Sequence, residues 1–179
     1  GLSLVLALGT AEMLLRARQF VKHGTWRVPG WVRVEKPETR QWHPFLRYIP
    51  RPSARWTESE GDDVAQIEIN SLGFRSPEIQ KENTDGVMRI ACLGGSVVYD
   101  TRVSLNESWP NQLQLQLKEA FPEREFEVIN AGIPSRTSAD GLVNLALRVL
   151  PLDPDIVILV HGVNDQKPNR YPGFRDDYS

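Results

Sequence analysis

Apolar positions along the chain fall into three regimes with different periods. Residues 2–15 are apolar almost throughout, with Glu12 as the only charge, which predicts a helix without a polar face. Residues 23–86 show no sustained period. Prolines recur at positions 29, 37, 44, 50, 52 and 77 among Trp26, Trp31, Trp42 and Trp56, and each interior proline removes a backbone donor and crowds the preceding turn. This stretch is predicted to be irregular, with its aromatic side chains packed on a neighbouring surface. Ile67 and Ile69 alternate with Gln66 and Glu68, the pattern of a short half-buried strand, and residues 70–73 read as a turn. A polar run at 80–85 closes at Gly86, which sets the start of the main domain near residue 87.

From Val87 onward the pattern becomes regular. Residues 89–93, 126–129 and 155–160 are short apolar runs rich in Val, Ile and Leu. Such runs fit strands covered on both faces, as in a parallel sheet. Helical periods lie between them. Residues 109–120 follow Ser108, a good N-cap, and carry Pro110 in the first turn; Trp109, Leu113, Leu117 and Ala120 share one face. Residues 138–150 start at Ser138 as the cap, with Asp140 near the positive helix start and Arg148 near the negative end. Leu142, Leu145, Ala146 and Val149 form the predicted buried stripe, and Pro151 and Pro154 end the helix. This succession of strands and helices predicts a three-layer α/β/α fold with a mostly parallel sheet, flavodoxin-like in its layering. The expected organisation is an apolar helix at 1–22, an irregular Pro/Trp-rich segment with short strands at 23–86, and the α/β domain from 87 to 179.

Composition narrows the function classes. With 40% hydrophobic and 25% charged residues and a formal net charge of −2, the chain reads as globular and lacks the basic field that nucleic acid requires. The lone cysteine, Cys92, sits inside an apolar run and reads as a small buried residue. No Cys/His cluster has zinc spacing, so no metal or other cofactor is expected. The run at 2–15 is shorter than the roughly 20 residues that span a bilayer. It fits the end of a signal-anchor helix, or else an amphipathic or core helix, and its lack of a polar face favours membrane anchoring. Arg16, Arg18, Lys22 and Arg27 follow it, and basic flanks prefer the cytoplasmic side.

The residues with chemical potential gather at the ends of the predicted strands: Gly94-Gly95-Ser96, Asn130-Ala131-Gly132 and Gly162-Val163-Asn164-Asp165. Ligands of open parallel sheets sit beyond the strand carboxyl ends, so the three clusters are expected to meet at one crevice. The first is not a phosphate loop, which needs Gly-Lys-Ser/Thr, nor a dinucleotide fingerprint, which needs a third glycine. It is not a nucleophile elbow either, because Val98 stands where that turn has its second glycine. What remains is a serine on a tight turn, either a nucleophile or a plain helix-start residue. Acyl transfer needs a nucleophile and donors for the oxyanion. Ser96 offers a hydroxyl and an N–H, Gly132 a backbone N–H with no side chain in the way, and Asn164 a carboxamide. The plain alternatives are a turn glycine and an asparagine bonded to its own loop.

Taken in order, these blocks resemble the SGNH/GDSL hydrolases. Leu93-Gly94-Gly95-Ser96 resembles their first block in the Gly-Gly-Ser form of a membrane-associated bacterial subgroup, Asn130-Ala131-Gly132 the second, and Gly162-Val163-Asn164-Asp165 the third. Asn70-Ser71-Leu72-Gly73-Phe74-Arg75 resembles the lead-in of that subgroup, so the likeness runs over about residues 66 to 167. The resemblance implies an SGNH-hydrolase fold and an ester hydrolase that works through an acyl-enzyme. Ser96 would be the nucleophile, and Ser96 N–H, Gly132 N–H and the Asn164 amide the oxyanion donors. Gly95, Asp165 and His161 would face the substrate, a small ester or acylated carbohydrate. It also implies a membrane-anchored protein with an extracytoplasmic catalytic domain. Two departures stand out. Asp100 occupies the place where the first block has a glycine, and no Asp-x-x-His block, the source of the general base, occurs in 1–179. His161 reads as a crevice or packing residue rather than a base, so the triad partners are expected beyond Ser179 and the chain by itself is expected to be inactive. Two further readings are an O-acyltransferase acting on cell-surface polysaccharide and a non-catalytic carbohydrate-binding relative.

Overall fold

The structure, a computed structural model, describes residues 38–60 and 63–166, together with Thr10, Met13, Leu14, Ala17 and Arg18. The chain divides into two compact units, Gly1–Lys36 and Pro37–Ser179. In the first unit the five described residues are helical and exposed. The rest of the apolar run expected at 1–22, and with it the anchor expectation, lies outside the described residues, as do residues 23–37. Among the described residues no helix is long and apolar enough to cross a membrane.

The second unit opens with two antiparallel hairpins. Strands β1 (Arg40–His43) and β2 (Arg47–Pro50) pair in one, and β3 (Arg55–Glu60) and β4 (Asp63–Glu68) in the other, where Trp56 stands opposite Ile67. Ile67 is buried, as its alternation with polar neighbours predicts, but Trp42 is 64% exposed. It lies on the outer side of a two-stranded sheet, so the expected packing of that tryptophan does not occur. The main sheet has the order β6-β5-β7, all parallel, with β5 (Val87–Gly94) between β6 (Glu125–Asn130) and β7 (Ile156–Val160). Between these strands lie α1 (Ser96–Tyr99), α2 (Trp109–Ala120) and α3 (Ser138–Asn144).

Alternation along β5 separates the two cores, because successive strand side chains point to opposite faces. Ile90 and Cys92 pack with Val98, Phe126 and Val128 beneath Trp109, Leu113 and Leu117 of α2. Ala91 and Leu93 pack on the other face with Ile129, Val149, Leu152 and Phe74. Each aliphatic side chain fully buried in this way contributes about 1.5–3 kcal/mol. Helices cover both faces, so the three-layer α/β/α expectation holds. Burial also pushes the Cys92 thiol up to about 12.

The helices depart from expectation at their ends. Ser108 does not cap α2 with its side chain; its hydroxyl donates to Leu105 O at 2.8 Å. The Asp100 carboxylate accepts from the first amide of α2, Trp109 N, instead. For α3 the cap is Thr137, in a reciprocal box with Asp140, and not Ser138. The helical path from 138 to 150 is not uniform either: it widens into a π turn at Leu145–Val149 and tightens to a 3-10 turn at Leu150–Leu152. Pro151 lacks the donor that would continue the α ladder and crowds the turn before it. Of the predicted stripe, Val149 is buried and Leu145 packs against the same core, while Leu142 and Ala146 are exposed. The buried face of this path also takes Gly141 and Asn144.

At the amino-terminal end of the sheet, the fully buried Arg89 binds the Glu127 carboxylate at 2.6 Å. The same guanidinium donates to the carbonyls of Gln80, Lys81 and Leu152, which fastens the polar run 80–82 beneath the strands. Removing one member of a buried pair leaves the other groups without partners and costs about 3–5 kcal/mol. Arg89→Met is therefore expected to lower unfolding free energy by about that amount, read from urea melts. A loss of less than about 1 kcal/mol would show that the pair and its carbonyls are replaceable by water.

Candidate active site

The parallel register sets where the strand ends meet. β5 gives way to Gly95 and Ser96, β6 ends at Asn130, and β7 leads into His161-Gly162 and the 3-10 turn Val163–Gln166. A cavity of about 90 Å³ lies over these ends, lined by Gly95, Ser96 and Val97 from the first cluster, Arg136 from the loop after β6, and residues 160–164 from the third. Ser96 is exposed, and among the described residues no side chain is hydrogen-bonded to its hydroxyl.

Asn164 lies against the serine turn. A β-carbon added to Gly95 would sit 2.7 Å from Asn164 Nδ2, so the glycine is what lets the carboxamide approach. One amide hydrogen goes to the carbonyl of Arg136 at 2.9 Å; a carboxamide has a second to offer. Asn164 thus bonds a neighbouring loop and not its own, and two of the three predicted clusters meet at one cavity.

Gly132, the member expected to bring a free N–H, is not among the cavity residues. It is buried, its N–H donates to Asn130 Oδ1 at 3.1 Å, and a β-carbon there would run into the backbone of Val98 and Tyr99. The glycine is required as the surface on which α1 rests.

Asp165 also stays out of the cavity. Its carboxylate accepts from both the N–H and the hydroxyl of Ser138 at 2.7 Å, which ties the third cluster to the start of α3. His161 lines the cavity, but its Nε2 is buried, has no hydrogen-bond partner among the described residues and packs onto Gly141 of α3. His43 lies in the first hairpin, where its Nδ1 accepts from the Phe45 and Leu46 amides. His23 lies outside the described residues. Among the described residues there is no group of three or more His, Cys, Asp or Glu arranged to hold a metal ion.

Asp100, the departure from the family pattern, has a structural explanation. It ends α1 in the left-handed conformation, with φ 60° and ψ 63°. Glycine is the default at such a position, and aspartate is among the few side chains that tolerate it. Here the carboxylate adds the contact to α2 that glycine lacks.

Two residues, Arg136 and Asn130, hold the site together in roles the sequence does not announce. Arg136 supplies the carbonyl that holds Asn164, while its guanidinium donates to the carbonyls of Leu46 and Tyr48 in the first hairpin. Asn130 holds both Gly132 N–H and, at 2.8 Å, the carbonyl of Val98. The available signal for Asn130 was its place in the second block; Arg136 had none, because a lone loop arginine looks like any solvated charge.

A serine exposed at the end of the central strand of a parallel three-layer sheet, with chemically equipped loops on the neighbouring strands, is the arrangement of the SGNH α/β fold. Residues 92–177 match the model of the GDSL-like Lipase/Acylhydrolase family, which supports an SGNH/GDSL hydrolase domain there. The matched stretch contains all three clusters. No curated protein matches the chain.

The Asp165 contact has a pH signature. Burial raises the carboxyl's pKa, but the hydrogen bonds from Ser138 and the Gly162 backbone, with His161 nearby, outweigh it and hold the group below its ordinary value of 3.8. A carboxyl depressed in the native state contributes stability above its unfolded pKa and loses it as pH falls through the native one. The wild-type urea midpoint should therefore drop more steeply below about pH 4 than that of Asp165→Asn. Superimposable acid limbs would show that the charged carboxylate does not hold this turn.

Proposed function

We propose that this protein is a serine ester hydrolase acting on O-acyl esters, with Ser96 as the nucleophile. The observation that carries the reading is the approach of the Asn164 carboxamide to the Gly95-Ser96 turn beside an open cavity. Ser96 Oγ attacks the ester carbonyl carbon and its proton passes to a general base. The tetrahedral oxyanion is held by Ser96 N–H and the free hydrogen of the Asn164 amide. Collapse expels the alcohol and leaves an acyl-enzyme, which water then hydrolyses.

Serine needs an adjacent base at neutral pH. His161 does not fit that role, because its buried Nε2 is turned onto Gly141, so the base is assigned outside the described residues. The Gly132 N–H is the third donor of the proposal and reaches the oxyanion once its bond to Asn130 Oδ1 opens. Val97, Val160 and Val163, all exposed at the cavity, offer an apolar wall to an acyl chain. Transfer of the acyl group to a sugar hydroxyl shares the first half-reaction. It is separated from hydrolysis by supplying saccharide acceptors and measuring acylated product against free acid. Membrane anchoring of an extracytoplasmic domain belongs to the same proposal and is tested by fractionating cells that express the full-length polypeptide.

Ser96→Ala in the full-length polypeptide is expected to lower kcat on a small aryl ester by at least about 10⁴-fold. Asn164→Ala should lower it by about 10²–10³ with little change in KM, the pattern of an interaction made in the transition state. Undiminished turnover by the serine variant removes Ser96 from the mechanism. A rise in KM alone for Asn164→Ala would assign the amide to substrate binding.

A further inference from the structure

We infer that Arg75, which lies in the lead-in segment outside the three clusters, is a positioning residue for Ser96: its guanidinium clamps the end of the short helix that presents the serine. The inference rests on the reading of Ser96 as nucleophile. Arg75 is 1% exposed. Its Nη1 donates to the carbonyls of Tyr99 and Asp100 and its Nη2 to that of Val103, while its own N–H bonds Asn130 O at 3.3 Å. The guanidinium also lies over the Tyr99 ring.

The need for such a clamp follows from the length of α1. A helix leaves its last four carbonyls without internal partners, and α1 has four residues, Ser96–Tyr99. Its only ladder bonds in this turn are Tyr99 N to Gly95 O and Asp100 N to Ser96 O. Left alone, one turn of helix is unstable in water. Asn130 takes the Val98 carbonyl and Arg75 the next two, so side chains from outside hold the turn in its helical form. The planar fork of arginine suits three carbonyls at fixed angles, and the compact ammonium of lysine does not. Arg75 touches neither the cavity nor the serine; its effect travels through the backbone of 96–100.

The test uses Arg75→Lys and Arg75→Met in the full-length polypeptide, with Arg89→Lys as the comparison. Arg89 is an equally buried arginine on β5 at the end of the sheet away from the cavity. Two readouts are taken well below each variant's unfolding midpoint: ester turnover, and hydrogen exchange at the Tyr99 and Asp100 amides. Both Arg75 variants are expected to lower kcat roughly ten- to hundredfold with KM held within about threefold, because small misplacements of a reacting group cost about that much. Exchange at the two amides should accelerate at least about tenfold. Arg75→Lys should lose less than Arg75→Met, since it keeps one or two donors. Arg89→Lys should lower the unfolding midpoint while leaving kcat and both amides at wild-type values. Wild-type kcat and exchange in Arg75→Lys and Arg75→Met overturn the clamp, as does an equal loss of kcat in Arg89→Lys. If Ser96→Ala retains turnover, the hydrolase reading falls instead, and the exchange rates alone decide whether Arg75 holds α1.

Discussion

Buried carbonyl oxygens that secondary structure cannot satisfy govern this molecule, and arginine is the residue that answers them. An unpaired buried carbonyl costs about 1–3 kcal/mol, and the loops at the crevice turn many of them inward. Arg75 reaches from the lead-in segment to Tyr99, Asp100 and Val103; Arg136 reaches from the loop after β6 back to Leu46 and Tyr48; Arg148 reaches from the helical path after α3 to Gly73. Each is buried or nearly so, and burial depresses the pKa of all three, that of Arg148 to about 10. Among the described residues, none takes a carboxylate in an ion pair of the kind Arg89 makes with Glu127. Their charge is dispersed over carbonyl dipoles, and the three lie over the Tyr99, Tyr48 and Phe74 rings.

These contacts run in both directions between the hairpin region and the α/β layers. The hairpins therefore do more than decorate the sheet. Tyr99, at the end of α1, packs with Ala54, Ala65, Ile67 and Ile69, and Leu46, Tyr48 and Ile49 pack with Ile133 in the loop that leads to Arg136. The two segments that flank the serine turn are thus each backed by one hairpin. The site is assembled from strand ends, as parallel sheets prescribe, but it is held in place from the amino-terminal side of the sequence.

That division explains what could be read from the sequence. The layers were legible because strands and helices announce themselves through apolar periods: β5, β6 and β7 each fall on an apolar run, and α2 occupies the predicted residues 109–120. The face of the helical path after 138 is legible only in Leu145 and Val149, because Gly141, Asn144 and Arg148 carry no apolar signal. Gly141 is needed for close packing with His161, Asn144 donates to Ala131 O, and Arg148 bonds Gly73 O. A hydrophobicity pattern sees none of those reasons.

The candidate site carries a related ambiguity, and Gly132 shows it. A glycine after a strand in a reactive block invites the reading that its N–H faces substrate, because chemistry and packing demand the same residue type. Here the N–H is bonded within its own turn and the bare α-carbon faces the backbone of α1. Asn164 and Gly95 show the opposite outcome: a glycine whose missing side chain admits a carboxamide to the serine turn. Both glycines exist to let something approach α1, one from below and one from the cavity. The serine turn, and not any single donor, is therefore the object around which the three sequence clusters are arranged.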